Sequence, residues 1–149
     1  MQIKKQLLQE CEHYVNVRQT TIETTIRSLQ KDLTSEIKSS AGDKHETGRA
    51  MIQLEMEKAG KQLESIQQMK ETLERIQVAK QSNIVSLGSL ITTDLGIYFL
   101  CISLGQLKVE ANNYFIISTS SPIGKLLLGK KVGDLFLWKE KEIKIHKIS

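Results

Sequence analysis

The chain has 149 residues, of which 40% are hydrophobic and 5% aromatic, with a single proline. This length leaves room for one or two small domains and excludes a large enzyme with a deep interior. The formal net charge is +4 at pH 7 and there is no Arg-rich or Lys-aromatic stripe. A net charge this small, without a basic stripe, argues against a protein that binds nucleic acid on its own.

The two cysteines, Cys11 and Cys101, are far apart in the sequence and belong to no C-x-x-C motif or His cluster. They predict neither a disulfide framework nor a zinc site. The longest apolar run, 97–102, is too short to span a bilayer, and the first residues contain no apolar signal segment. We therefore expect a cytoplasmic protein that does not associate with a membrane.

Two long segments carry helical periodicity. Residues 2–38 contain neither glycine nor proline, and one apolar stripe, interrupted at Arg18, comprises Leu7, Cys11, Val15, Ile22, Ile26, Leu29, Leu33 and Ile37. A second stripe comprises Ile52, Met56, Ala59, Leu63, Ile66, Met69, Leu73 and Ile76. The stripes predict two helices that face each other as an antiparallel coiled-coil hairpin, about 50 Å long at 1.5 Å per residue.

The connection between the two helices contains a pair of carboxylates. Ser39-Ser40-Ala41-Gly42 has the small residues that a tight reversal requires. Asp43 and Glu46 are three positions apart, so they share one face where the second helix begins and can hold a divalent cation. The same spacing also fits a capping box, in which both side chains bond backbone N–H groups. The residues leave both interpretations open.

Beyond residue 80 the sequence changes to short runs rich in β-branched and aromatic residues. They predict strands near 84–85, 90–91, 97–102, 106–109, 114–118 and 143–148. Ser120-Ser121-Pro122 introduces the one helical candidate of this half, 123–128. The predicted fold class is therefore α+β, with a small antiparallel sheet and one short helix after the hairpin. His146, on the last strand, is expected to face solvent.

A phosphate-loop pattern, G-x-x-x-x-G-K, occurs at 124–130 but is rejected. Lys131 stands where a Mg²⁺-holding Ser or Thr is needed, and residues 125–128 favour a helix rather than a loop. We therefore expect no nucleotide cofactor.

Two motifs occur in order along the chain. Gly42-Asp43-Lys44-His45-Glu46 has the pattern G-D-x-x-E at the predicted hairpin tip. The segment 121–134, SPIGKLLLGKKVGD, is close to S-P-[IL]-x-x-A-L-[IL]-G-K-x-x-G-D. Together they resemble the bacterial Gre-type transcript cleavage factor superfamily, and the second motif is the more specific.

The resemblance implies a coiled-coil hairpin at 1–80, with its acidic tip near 42–47, and an FKBP-like polymerase-docking domain at 81–149. It implies a factor that binds bacterial RNA polymerase at the secondary channel, contacts the nascent RNA 3′ end indirectly and is not itself an enzyme. Asp43 and Glu46 would help retain a Mg²⁺ ion held jointly with the polymerase and orient the water that cleaves backtracked RNA. We expect the factor to be a monomer.

Polymerase binding is expected through Ser120, Ser121, Pro122 and Ile123. These residues form a predicted turn beside an apolar helix, in a half of the chain that has eight lysines and five acidic residues from residue 81 onward.

The residues after the tip motif depart from the family pattern. Active members typically continue with N-x-E-Y, whereas Thr47-Gly48-Arg49-Ala50 follow here. Arg49 brings a positive charge one turn from Glu46, and Lys44 and His45 also modulate the charge of the tip. Two alternatives to cleavage stimulation therefore stay open: a non-catalytic regulator of initiation or pausing in the same channel, and a structural coiled-coil adaptor with a simple helix cap.

Overall fold

The structure, a computed structural model, describes residues 2–39 and 46–149. Two compact units divide the chain: Met1–Glu12 together with Glu71–Ser149, termed the globular unit, and His13–Lys70, termed the hairpin unit. These units are defined by packing. The functional division at residue 80 stays a prediction.

The two predicted helices are confirmed as α1, Gln2–Ser39, and α2, Glu46–Glu74. Four threonines in the middle of α1 have low helix propensity. Each donates its hydroxyl to the carbonyl oxygen four residues earlier at 2.9–3.0 Å, as seen for Thr20, Thr21, Thr24 and Thr25. The hydroxyl groups of these threonines therefore have their hydrogen-bond acceptors within the helix itself.

The hairpin unit is an antiparallel helix pair. Val15 and Ile22 of α1 and Ala59 and Ile66 of α2 are buried. Nζ of Lys70, late in α2, donates to Oε1 of Gln19, early in the unit, at 2.8 Å. The stripe predicted for α1 ends before its last member, because Ile37 is half exposed.

The globular unit contains one six-stranded sheet. Its strands are β1 (Leu90–Thr93), β2 (Gly96–Cys101), β3 (Gly105–Val109), β4 (Asn112–Ser118), β5 (Leu135–Trp138) and β6 (Lys141–Ile148), in the order β3-β4-β2-β1-β6-β5. The predicted α+β fold class is confirmed. The sheet is nevertheless mixed rather than wholly antiparallel, since β2 and β4 pair in parallel.

The parallel pair follows from how the chain leaves β2. It crosses to the far side of β4, so β3 and β4 form a hairpin and β4 returns beside β2 in the same direction. The run 84–85, predicted as a strand, forms only an isolated bridge between Ile84 and Lys131. The edge strand β5 was not predicted.

The sheet is covered on both faces. One face packs with the short helix α3 (Pro122–Leu127) in a core formed by Val85, Ile91, Tyr98, Leu100, Ile123, Leu127, Phe136, Ile143 and Ile145. Because side chains alternate along a strand, Phe99 and Cys101 of β2 point to the other face, where both are buried. There the thiol of Cys101 is in hydrogen-bonding contact with Cys11 of α1. The first turns of α1 therefore cover the second face of the sheet.

Candidate functional site

The predicted tip falls mostly outside the described residues. Asp43, Lys44 and His45 lie outside them, and α2 begins at Glu46, whose side chain also lies outside them. The shared Mg²⁺ site and the capping box both stay predictions. Arg49 is described: it lies in the first turn of α2 with a partly exposed side chain.

A further carboxylate lies near the start of α2. A Cβ atom placed at Gly48 would be 3.1 Å from Oε1 of Glu36, so the Glu36 side chain lies directly against α2 at Gly48. The absence of a side chain at Gly48 leaves room for this approach. Sequence reasoning missed Glu36 because only the reversal of the chain brings the end of α1 beside the beginning of α2.

The turn before α3 is fixed by a serine that bonds in both directions. Oγ of Ser121 accepts the N–H of Gly124 at 3.1 Å and donates to the carbonyl oxygen of Ser118 at 2.7 Å. Pro122 follows at the start of the helix, where its missing N–H would have no helical partner. The predicted cap and helix start are therefore confirmed, and the segment Ser118–Gly124, termed the α3 turn, has a defined shape.

Gly124 permits the close packing of the α3 turn. A Cβ atom at this position would lie only 2.2 Å from the carbonyl oxygen of Ser118. Such an approach to backbone cannot be relieved by rotating a side chain, so the turn requires glycine here. The first glycine of the rejected phosphate-loop pattern thus has a structural role at the start of α3.

The four predicted polymerase-binding residues differ in exposure. Ser120 and Pro122 are exposed and Ser121 is partly exposed. Ile123 is only 8% exposed and belongs to the core under α3. A partner can therefore touch Ser120 and Pro122 directly, whereas Ile123 anchors the turn from below.

His146 is exposed on β6, as predicted, but it has a partner that the sequence pattern did not reveal. Its Nε2 lies 2.5 Å from Oδ1 of Asp94 in the β1–β2 turn. Both side chains are nearly half exposed. The contact ties the turn to the neighbouring strand rather than forming a buried catalytic pair.

Neither cysteine forms a disulfide, and both are buried. The hydrogen-bonding contact with Cys11, together with burial, raises the pKa of the Cys101 thiol. Within the described residues, no group of three or more His, Cys, Asp or Glu side chains could hold a metal ion. None of the helices in those residues is long and apolar enough to cross a membrane.

Comparisons with known proteins agree with the motif in the second half. The family model described as "Transcription elongation factor, GreA/GreB, C-term" matches residues 104–149, the segment that carries β3, β4, α3, β5 and β6. This segment is similar to the C-terminal domain of GreA/GreB transcription elongation factors. The match confirms the resemblance to the Gre-type superfamily.

Among solved structures, one titled "Structure of the transcription factor Gfh1" is similar to this chain. The similarity covers 91% of this chain and 91% of that chain, with 18% sequence identity and a TM-score of 0.36. A comparison with curated proteins found no match.

Proposed function

We propose that the chain is a Gre-type factor that binds bacterial RNA polymerase at its secondary channel and stimulates cleavage of backtracked RNA. The observation that carries this proposal is the GreA/GreB domain at 104–149, preceded in the same chain by a G-D-x-x-E motif between two long helices. The domain indicates the class of partner. The motif indicates that the two helices carry a pair of carboxylates, Asp43 and Glu46, to that partner.

The chemistry assigned to the tip is shared with the polymerase. Mg²⁺ prefers six oxygen ligands, and Asp43 and Glu46 supply carboxylates from only two side chains. The polymerase and the RNA phosphate would complete the coordination, and the metal ion would activate the attacking water. The factor would therefore supply negative charge to the active site of the polymerase and help orient the attacking water there. Without the polymerase it should not cleave RNA.

Docking is assigned to the α3 turn. Ser120 and Pro122 are exposed there, and the bonds of Ser121 hold the backbone in one conformation. A preformed turn loses little conformational entropy on binding, so even a small contact area can contribute to affinity. This surface would hold the factor on the polymerase while the tip enters the channel.

A second candidate function is a non-catalytic regulator that occupies the same channel. The observation that favours it is the substitution pattern after the tip motif, where Thr47, Arg49 and Ala50 stand at the N, E and Y positions of the family pattern N-x-E-Y. The partly exposed guanidinium of Arg49, in the first turn of α2, would repel a nearby cation. Such a factor would alter initiation or pausing without shortening RNA.

RNA cleavage in stalled complexes separates the two functions. Cognate polymerase is assembled in a backtracked complex with end-labelled RNA and Mg²⁺, and the full-length protein is added. The proposed function predicts faster appearance of shortened RNA that the polymerase can extend again. A protein that binds the complex and leaves the RNA intact is the channel regulator instead.

A further inference from the structure

A polar cavity of about 290 Å³ opens within the globular unit, between the first turn of α1 and the segment that leads into β1. Its lining includes three basic side chains, Lys4, Arg75 and Lys80, and three serines, Ser82, Ser86 and Ser89. No acidic residue is found among its lining residues in the described part of the chain. The cavity therefore concentrates positive charge and hydrogen-bond donors.

Lys4 is the unusual member of this set. Its side chain is only 2% exposed, although lysine is almost never fully buried without a charged partner. Its Nζ donates to the carbonyl oxygen of Lys80 at 3.4 Å, a long hydrogen bond. No carboxylate from the described part of the chain forms an ion pair with it.

A buried ammonium group with one long hydrogen bond is costly unless a negative charge approaches it. Burial accordingly lowers the pKa of Lys4. The ammonium group carries three N–H donors, so donors remain for a ligand in the cavity. The positive charges of Arg75 and Lys80 on the same lining rule out a cation as that ligand.

The backbone of the cavity wall is held by a tight turn. The N–H of Ser86 donates to Oγ of Ser89 at 2.9 Å, and the N–H of Ser89 donates to the carbonyl oxygen of Ser86 at 3.0 Å. Gly88 has a φ of 90°, which only glycine adopts without strain. Because Oγ of Ser89 is the acceptor in this turn, its own O–H hydrogen can donate to a further group.

The size and the polarity of the cavity restrict the class of ligand that it can bind. A cavity of this volume holds a phosphate group and a small attached moiety, and it lies at the lower end of small-molecule sites. Leu87 is the one large apolar residue among the described lining residues, and none of these residues is aromatic, so the described lining offers no aromatic ring for a nucleobase to stack on. A tetrahedral oxyanion, in contrast, can accept hydrogen bonds from ammonium, guanidinium and hydroxyl groups together.

We propose that this cavity binds a phosphate group, either inorganic phosphate or the phosphate of a small phosphorylated sugar, with Lys4, Arg75 and Lys80 as its charged ligands. None of its described lining residues belongs to the tip motif or to the α3 turn. It does not depend on the proposed action on RNA polymerase.

The test is a titration of the full-length, ¹⁵N-labelled protein followed by amide chemical shifts. Inorganic phosphate, ribose 5-phosphate and potassium chloride are added separately at matched ionic strength. The site predicts saturable shifts of the Ser86, Gly88 and Ser89 amides with either phosphate compound, and none with chloride. Tighter binding of ribose 5-phosphate identifies a phosphorylated sugar as the ligand, whereas equal binding identifies the phosphate group alone.

Two variants test whether the chemical-shift changes arise from binding in the cavity. Lys4→Met should raise the dissociation constant by about tenfold or more, because it removes a charge-assisted hydrogen bond. Arg75→Gln alters an exposed side chain, so it should fold normally and also weaken binding. Lys108→Met, an exposed lysine on β3 that does not line the cavity, is the matched control. Wild-type shifts that fail to saturate, or binding that survives both cavity variants unchanged, would overturn the proposal.

Discussion

Asp94 joins the β1–β2 turn to β6 through both of its carboxylate oxygens. Oδ1 lies 2.5 Å from Nε2 of His146, and Oδ2 accepts the backbone N–H of Lys144 at 2.9 Å. The hydrogen bond from Lys144 lowers the pKa of Asp94 most, and the His146 side chain lowers it further. The folded state therefore favours the ionised carboxylate.

The lowered pKa of Asp94 predicts a specific pH dependence of stability. The folded protein holds the proton of this group less tightly than the unfolded chain does, so the contribution of Asp94 is fully present above the unfolded pKa, near 3.9. It is lost as the pH falls through the lower folded pKa. Asp94→Ala should therefore lower Tm at pH 7, and the difference from wild type should shrink below about pH 4. Glu142→Ala, at another exposed carboxylate of the same sheet, is the control; an unchanged Tm difference between pH 7 and pH 2 would contradict this account.

Two glycine-to-alanine substitutions should have opposite effects on stability. Gly124→Ala places a Cβ atom 2.2 Å from the carbonyl oxygen of Ser118, so we expect a loss of about 1–3 kcal/mol in the free energy of unfolding. Gly60→Ala lies in α2, where a Cβ atom meets nothing within 4 Å. There the better helix propensity should add about 0.5–1 kcal/mol. Urea denaturation measures both, and two changes of the same sign would show that the packing at α3 is described wrongly.

The buried thiols should be inert in the folded protein. Contact with Cys11 and burial raise the pKa of Cys101, and alkylation requires the thiolate. We therefore expect iodoacetamide to label Cys11 and Cys101 much more slowly in the native protein than in urea. Timed alkylation followed by mass spectrometry measures this ratio. Equal rates in the two conditions would mean that the first turns of α1 do not cover the sheet.

The helices were predictable because their signals are local. Apolar spacing, together with the lack of glycine and proline before residue 39, defines α1 to within one residue of the predicted end. The cap at Ser121 was predictable for the same reason, since a serine followed by proline has one favoured role at a helix start.

Features that depend on distant contacts were not predictable from these patterns. The strand β5, Leu135–Trp138, lies at the sheet edge with exposed Leu135 and Leu137. Its burial alternates, but its residues are all apolar, so the sequence lacks the alternation of apolar and polar residues that indicates a strand. The parallel pairing of β2 with β4 depends on the chain crossing past β4 after it leaves β2. The residue types in these strands do not indicate this crossing. The bonding of Asp94 to β6 and the burial of Lys4 likewise depend on residues far away in the sequence.

Polymerase docking through the α3 turn can be tested in the full-length protein. Ser120→Arg changes an exposed side chain of the turn, so folding should persist while affinity for polymerase falls by about tenfold, equivalent to 1.4 kcal/mol. Lys108→Ala, at an exposed position on β3, should bind normally. Competition against labelled wild-type protein measures both, and equal affinity for wild type and Ser120→Arg would exclude the turn as a docking surface.

Full-length variants suit this test better than a fragment beginning near Ser82. Such a fragment lacks Cys11, which contacts Cys101 on the second face of the sheet, and Ile76, which lies against Gly88. Failure of the fragment to bind could then reflect exposed core residues rather than a missing docking contact.

The central claim, that the tip carboxylates act in RNA cleavage, is tested most directly by removing one charge while keeping the helix cap. Asn caps a helix about as well as Asp but lacks the formal charge that helps retain Mg²⁺. Wild type and Asp43→Asn are compared for cleavage of backtracked RNA and, in parallel, for competitive binding to the polymerase. We predict that cleavage falls by orders of magnitude, that binding stays close to wild type, and that higher Mg²⁺ concentrations partly restore the rate; Arg49→Glu should raise it if Arg49 opposes metal retention. Cleavage by Asp43→Asn at the wild-type rate would show that the acidic pair is only a helix cap and would contradict the account.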